Sequence, residues 1–267
     1  MPFLTTLQLA QAIPDGALLA VPADYGGVAM AVTLDLIRRN ARDLSLAAAP
    51  VSGLQADLLI GAGAVRQLQA AAVSLGEYGF AQRFTAALKA GRLTMQDATC
   101  PALHAGLQAA EKGVPFLPLR GILGSDLLKL RPDWKVIQNP LAEMPDPIVV
   151  VPAIHPDVAL FHAPLADRHG NVWIGLRREL ATMAHAARRT LVSVEAVFDG
   201  NLLDDPLRAP GTLPHPYVEA VALASKGAWP LAFADHYPAD HDALTRYAEA
   251  SRSDEGFQAV LQEWLHG

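Results

Sequence analysis

Arg120, Gly124, Ser125 and Asp126 follow the apolar run from Val114 to Leu119 and could together hold an anion. A guanidinium placed after such a run can point into a cleft and take a carboxylate in two-pronged fashion. Gly124-Ser125-Asp126 reads as a flexed turn and helix start, whose free N–H groups suit a phosphate or carboxylate. Asp126 can equally be the plain cap of a helix running from Leu127. Lys129, Arg131 and Lys135 close by read as a solvated face. A second group, Asp167, Gly170 and Asn171, lies in the polar turn 166–171 behind the apolar run from Asp157 to His162. Two apolar runs joined this way read as buried strands presenting a shaped loop, and such loops carry chemistry in open α/β sheets. Gly170 is expected at positive φ, where a Cβ costs roughly 1 kcal/mol or more.

Other familiar chemistries find no pattern here. Gly61-Ala62-Gly63 lacks the third glycine of a dinucleotide fingerprint and the spacing of a P-loop, and reads as a tight turn. No Gly-x-Ser-x-Gly elbow is present for a serine hydrolase. The nine histidines show no HExxH or paired-ligand spacing, so no metal is expected. His236 and His241 with Asp240 and Asp242 could gather around a metal, but read better as surface loop residues.

The chain has 267 residues, 51% of them hydrophobic and 18% charged, with a net charge of −6. That balance predicts a large interior and a weakly charged surface, part of it covered by another subunit. The negative charge argues against nucleic-acid binding, though a local basic pocket can still hold an anionic ligand. The single Cys100 permits no intrachain disulfide and fits a reducing cytosol. Residues 1–15 lack the pattern of a signal peptide, and no apolar run approaches the roughly 20 residues that span a bilayer. A cytoplasmic protein without membrane contact is expected.

Strands and helices alternate along the chain. Strands are predicted at 17–21, 43–47, 57–60, 148–151, 158–162 and 190–195. Helices are predicted over 29–40, 80–90 and 179–189, the last with Arg188 and Arg189 in its final turn, where positive charge suits the dipole. Residues 199–217 read as an ordered excursion and 240–267 as a helical tail on a single 1–267 domain. Strand–helix–strand units imply parallel crossovers, hence an α/β fold with a mainly parallel open sheet covered by helices.

Several motifs taken together resemble the A (alpha) subunit of two-subunit family I CoA-transferases, in the glutaconate CoA-transferase branch. They are Pro14-Asp15-Gly16, the 58–63 segment, Gly113-to-Pro118, Gly124-Ser125-Asp126, the 151–172 stretch, Val194-Glu195 and the tail from Tyr237. The resemblance implies a fold shared with sugar-phosphate isomerases, and partnership with a B (beta) subunit in a heterotetramer. It implies acyl-CoA and carboxylic acid substrates, with the CoA thioester as substrate and no tightly bound cofactor. The nucleophilic glutamate is expected on the B subunit, since none of the nine glutamates here matches its motif. Glu195 is expected to be structural. Where many A subunits carry a Gly-Gly-Phe loop, this chain has Asp24-Tyr25-Gly26-Gly27-Val28, so Gly26 and Gly27 are expected beside the acyl substrate. The ring-cleaving hydrolase branch uses a glutamate between about 92 and 110, where only Asp97 offers a carboxylate. CoA transfer is the first reading; thioester hydrolysis or decarboxylation on the same scaffold, or a non-catalytic partner of the B subunit, remain alternatives.

Overall fold

The computed structural model describes residues 2–233 and 236–266; the two ends of the expected 1–267 unit lie outside them. Helix α1 (Thr6–Ala12) opens on a capping box in which Thr5 and Gln8 satisfy each other's backbone N–H. Then follow β1 (Leu18–Pro22), α2 (Met30–Arg38), β2 (Leu44–Ala49), α3 (Leu54–Gly61), β3 (Val65–Ala70), α4 (Gln82–Lys89), β4 (Thr94–Asp97) and α5 (Cys100–Glu111). The middle of the chain forms β5 (Phe116–Leu119), α6 (Leu127–Leu130), β6 (Lys135–Gln138) and β7 (Pro147–Pro152). The remainder is β8 (Val158–Asp167), β9 (Val172–Trp173), α7 (Arg178–Ala186), β10 (Arg189–Phe198), β11 (Thr212–Leu213), β12 (Ala220–Leu223), α8 (His241–Ala250) and α9 (Asp254–His266).

The strands β12-β10-β8-β1-β2-β3-β4 pair in that order, all parallel. Chain order therefore runs outward from β1 in one direction and from β8 in the other. The reversal falls between β1 and β8, which makes the carboxyl ends of these two strands the topological switch point where α/β sheets hold ligands. Every residue of β2 is buried, as a parallel strand covered on both faces requires. Its side chains alternate between two cores, Leu44, Leu46 and Ala48 in one and Ala47 and Ala49 in the other. Helices α8 and α9 pack Tyr247, Phe257 and Trp264 against Met30, Leu54 and Leu58 in a third cluster. A separate antiparallel sheet, β5-β7-β6, stands apart from the main one.

Three readings of local structure change. Residues 57–60 are helical within α3, not a strand; all seven residues from Leu54 to Ile60 are buried, so no helical stripe marks the period. Helix α7 ends at Ala186, and Arg189 instead starts β10 and pairs with Glu219. Arg131 is buried, stacked over Trp134 and bonded to Asp133 and to the carbonyl of Asp97, so it is no solvated cation.

Candidate active site

The loop after β1 crosses β8 at His162, midway along that strand. Gly27 has φ +91°, and a Cβ there would lie 2.3 Å from the carbonyl oxygen of His162. The His162 amide in turn donates to the Gly27 carbonyl at 2.7 Å. Gly26 is confined less severely, with a Cβ meeting the Ala23 oxygen at 3.0 Å. Both glycines are buried, so their contribution is the close backbone approach that fixes Asp24 and Tyr25 over the switch point.

Asp24 is held by one oxygen only. Its Oδ2 accepts the Leu54 amide at 3.0 Å, and the lack of a side chain at Gly53 makes room for it. Its Oδ1 is buried without a partner, and so is the Oγ of Ser52 on the next loop. Burial pushes the Asp24 carboxyl up to about 6, against the opposing bonds from the Leu54 and Gly53 amides. Both orphaned atoms belong to residues lining a cleft of about 490 Å³, walled also by Tyr25, Ser74, Glu77 and Tyr78 and by the apolar Leu54, Leu75, Leu231 and Leu244. A half-satisfied carboxylate titrating near neutral pH can accept a hydrogen bond from a ligand or exchange a proton with it.

Beside this cleft a buried network ties β8 to β10. His162 Nε2 lies 2.7 Å from Glu195 Oε1, and its Nδ1 lies 2.8 Å from Ser193 Oγ. Burial draws the imidazole below its ordinary value although Glu195 opposes the change, so the ring is neutral at pH 7. The neutral tautomer that satisfies both contacts donates from Nε2 to Glu195 and accepts from Ser193 at Nδ1. Tyr237 also donates to Glu195 Oε1, at 2.7 Å, as does the Gly227 amide at 3.1 Å, while the Lys226 amide reaches Oε2 at 2.8 Å. Burial would raise the Glu195 carboxyl, but the bonds from His162, Tyr237 and Lys226 outweigh it and bring it down to about 2. Burial and the neighbouring Glu195 push the Tyr237 hydroxyl up. Gly227 is confined as well, since a Cβ would lie 2.4 Å from His162 Cε1.

The other residues singled out from sequence sit elsewhere. Arg120 follows β5 on the small sheet, with its side chain 64% exposed and paired to Asp146 at 2.5 Å. Ser125 Oγ donates to the Ile122 carbonyl, Gly124 takes φ +75°, and Asp126 pairs with Lys129 in solvent. Asp126 occupies the cap position of α6 without a side-chain bond to it. None of these four residues lines the cleft. Asp97 ends β4 with its side chain exposed, and Thr99 beside it caps α5. Asp167, Gly170 and Asn171 form the β8–β9 hairpin turn, where Gly170 has φ +93° and Asn171 reaches Asn201 and the His215 amide. No set of His, Cys, Asp and Glu among the described residues is grouped to hold a metal ion. Asp24, Ser52 and His162 were not singled out from sequence. The available signal for Asp24 was an acid directly behind a wholly apolar strand.

The sequence model of the family described as coenzyme A transferase matches residues 5–223. The A subunit of the 3-oxoadipate CoA-transferase of Pseudomonas knackmussii is 31% identical over 96% of this chain and 90% of its own length. The A subunit of the glutaconate CoA-transferase of Acidaminococcus fermentans is 31% identical over 88% and 78%. The solved structure of that glutaconate enzyme superposes with a TM-score of 0.90 at 27% identity, over 99% of this chain and 89% of its own. The structure of a variant of the decarboxylase AibA/AibB superposes at 0.87 with 28% identity, over 100% and 98%. The chain spans about half, 53%, of the length of an uncharacterized Archaeoglobus fulgidus protein that is 28% identical over 90% of it.

Proposed function

Because the chain belongs to the coenzyme A transferase family, we propose that it is the A subunit of a cytoplasmic two-subunit enzyme that moves CoA between carboxylic acids. The observation that carries this reading is the state of its carboxylates beside an open cleft. Glu195 has three donors on one oxygen and a fourth on the other, and is held down to about 2, which leaves it a poor nucleophile. Asp24 is fixed by the Leu54 amide and set back in the wall. Neither is placed as a free attacking group, which supports the reading that the resemblance implies, in which a glutamate of a B subunit in a heterotetramer attacks.

In the proposed cycle that glutamate attacks the thioester carbonyl and expels the CoA thiolate, leaving an acyl-glutamyl anhydride. The thiolate then attacks the glutamyl carbonyl, releases the first carboxylic acid and forms the glutamyl-CoA thioester. A second carboxylate attacks this thioester, displaces the thiolate and regenerates an anhydride. Attack of the thiolate on the new acyl carbonyl gives the product thioester and frees the glutamate. This chain's part is to bind the acyl group and keep water from it, through Asp24, Ser52 and the apolar wall. Gly26 and Gly27 act through their backbone. Arg120, Gly124, Ser125 and Asp126 remain candidates for a substrate contact only on the assembled complex, and Asp167, Gly170 and Asn171 for support of the contact between subunits.

The names of the relatives support a partner, since both CoA-transferase matches are A subunits. No helix among the described residues is long and apolar enough to cross a membrane. The test is to assay CoA transfer by the B subunit, by this chain and by their mixture. Only the mixture is expected to turn over; robust transfer by the isolated chain would overturn the reading. The likeness to AibA/AibB favours one second reading, decarboxylation of a thioester on the same scaffold. Release of carbon dioxide without CoA transfer by the mixture would establish that one instead.

A further inference from the structure

The walls of the cleft limit what acyl group can enter it. Among its described lining residues the only formally charged side chains are Asp24 and Glu77, both acidic, with no lysine or arginine. A dicarboxylic acyl group would bring its distal carboxylate toward like charges with no cation from this wall to meet it. The 3-oxoadipate and glutaconate of the relatives' names are both dicarboxylic acids, so the wall is unlike what such substrates need. Leu54, Leu75, Leu231 and Leu244 instead offer apolar surface. Two polar atoms on the same wall lack any partner, Asp24 Oδ1 and Ser52 Oγ, and both are buried. Such atoms are costly to leave unmet, and they are satisfied when a ligand supplies the missing group. Asp24 cannot swing away to meet another donor. Its Oδ2 is anchored on the Leu54 amide, and the space it fills over Gly53 would be lost to any Cβ there, 2.2 Å from that oxygen. A carboxylate oxygen accepts, so the group it can take is a donor, and Ser52 of the same wall offers a hydroxyl that can either donate or accept.

We infer that the acyl group held in this cleft is uncharged and largely aliphatic, and carries a hydroxyl that donates to Asp24 and shares a hydrogen bond with Ser52. This rests on the CoA-transferase reading and names the substrate class of its site. Charge selection comes from the acidic wall and hydroxyl selection from the two orphaned atoms, so the two can be measured apart.

The test uses the A–B complex with the B-chain nucleophile changed to glutamine, so that binding is read without turnover. Dissociation constants are measured by calorimetry for 3-hydroxybutyryl-CoA, butyryl-CoA and glutaryl-CoA. The hydroxyacyl thioester is expected to bind about tenfold more tightly than butyryl-CoA, a difference typical of one hydrogen bond to a charged group. Glutaryl-CoA is expected to bind at least tenfold more weakly than butyryl-CoA. Ser52→Ala should shrink the hydroxyl advantage without changing the glutaryl penalty, and Asp24→Asn should reduce that penalty. Glutaryl-CoA binding as well as butyryl-CoA, no gain from the hydroxyl, or no binding by any of the three would overturn the inference. The expected order of affinities in a wild-type complex that transfers no CoA would instead sink the transferase reading and leave the inference standing. Transfer that prefers the dicarboxylic thioester would do the reverse.

Discussion

Asp24 and Asp167 stand behind neighbouring parallel strands, the first two residues past β1 and the second at the end of β8. Asp167 accepts four donors, the His169 and Asn171 amides on one oxygen and Asn171 Nδ2 and the Leu202 amide on the other. Burial would raise its carboxyl, but the bonds from Leu202, Asn171 and His169 hold it below the usual carboxylate range. Asp24 has one oxygen anchored and the other bare, and burial prevails. A saturated carboxylate fastens two segments of chain together. A half-saturated one carries a desolvation cost that a proton or a ligand's donor relieves, which suits a site better than a strut.

Breaking the strut should have the largest effect. Asp167→Ala strips four buried or half-buried donors of their acceptor and should cost roughly 3–5 kcal/mol. Its folded pKa lies below the unfolded value, so its stabilisation is present above pH 3.8 and is lost as pH falls through the folded pKa. Thermal melts at pH 7 would check this; a midpoint within about 3 °C of the parent would show that the hairpin does not depend on it.

Asp24→Asn should move stability the other way. The folded pKa of about 6 stands above the ordinary 3.8, so this group's stability is full below pH 3.8, falls between 3.8 and 6, and stays reduced above. Removing the charge should therefore recover at most about 3 kcal/mol at pH 7.5 and nothing at pH 3.5. Chemical denaturation of both proteins across that range reads the sign directly. A loss of stability at pH 7.5 would mean that Asp24 is a strut too.

Glu195→Gln should have a smaller effect than either. Its folded pKa of about 2 lies below 4.5, so its stabilisation is present above pH 4.5 and fades as pH drops toward 2. Roughly 2 kcal/mol should be lost at pH 7, less than the shift alone suggests because glutamine keeps some of the acceptor geometry. An equal loss at pH 3 and pH 7 would assign the effect to packing. Arg120→Ala should matter least and leave the melting point close to that of the parent, since its bond to Asp146 is an exposed ion pair; a melting shift beyond a few degrees would contradict this.

The alternation of buried strands and amphipathic helices was legible because β1, β2 and β8 are short apolar runs bounded by turns, and α2 and α4 carry a visible helical stripe. Helix α3 was not legible, since burial on every side erases that stripe. Gly26 and Gly27 were expected near the substrate only through the resemblance of their loop to the Gly-Gly-Phe loop of A subunits. The pairing of His162 with Glu195 was not legible, because the two residues are 33 apart and meet only through the register of β8 on β10. Arg120 illustrates the opposite difficulty. An apolar run before an arginine looks the same whether the strand enters the main sheet or the small one, and only the second arrangement puts the guanidinium beside Asp146.

We propose that the chain meets its acyl group at the β1–β8 switch point and not at the turn after β5. The most direct test is kcat/KM for CoA transfer from 3-hydroxybutyryl-CoA by A–B complexes carrying Asp24→Asn or Arg120→Ala, with melts of the same samples. Asp24→Asn should lose tenfold or more while its melting point holds or rises, and Arg120→Ala should stay within twofold of the parent. An unchanged Asp24→Asn complex alongside a tenfold loss in a folded Arg120→Ala complex would contradict the account and move the site to the small sheet.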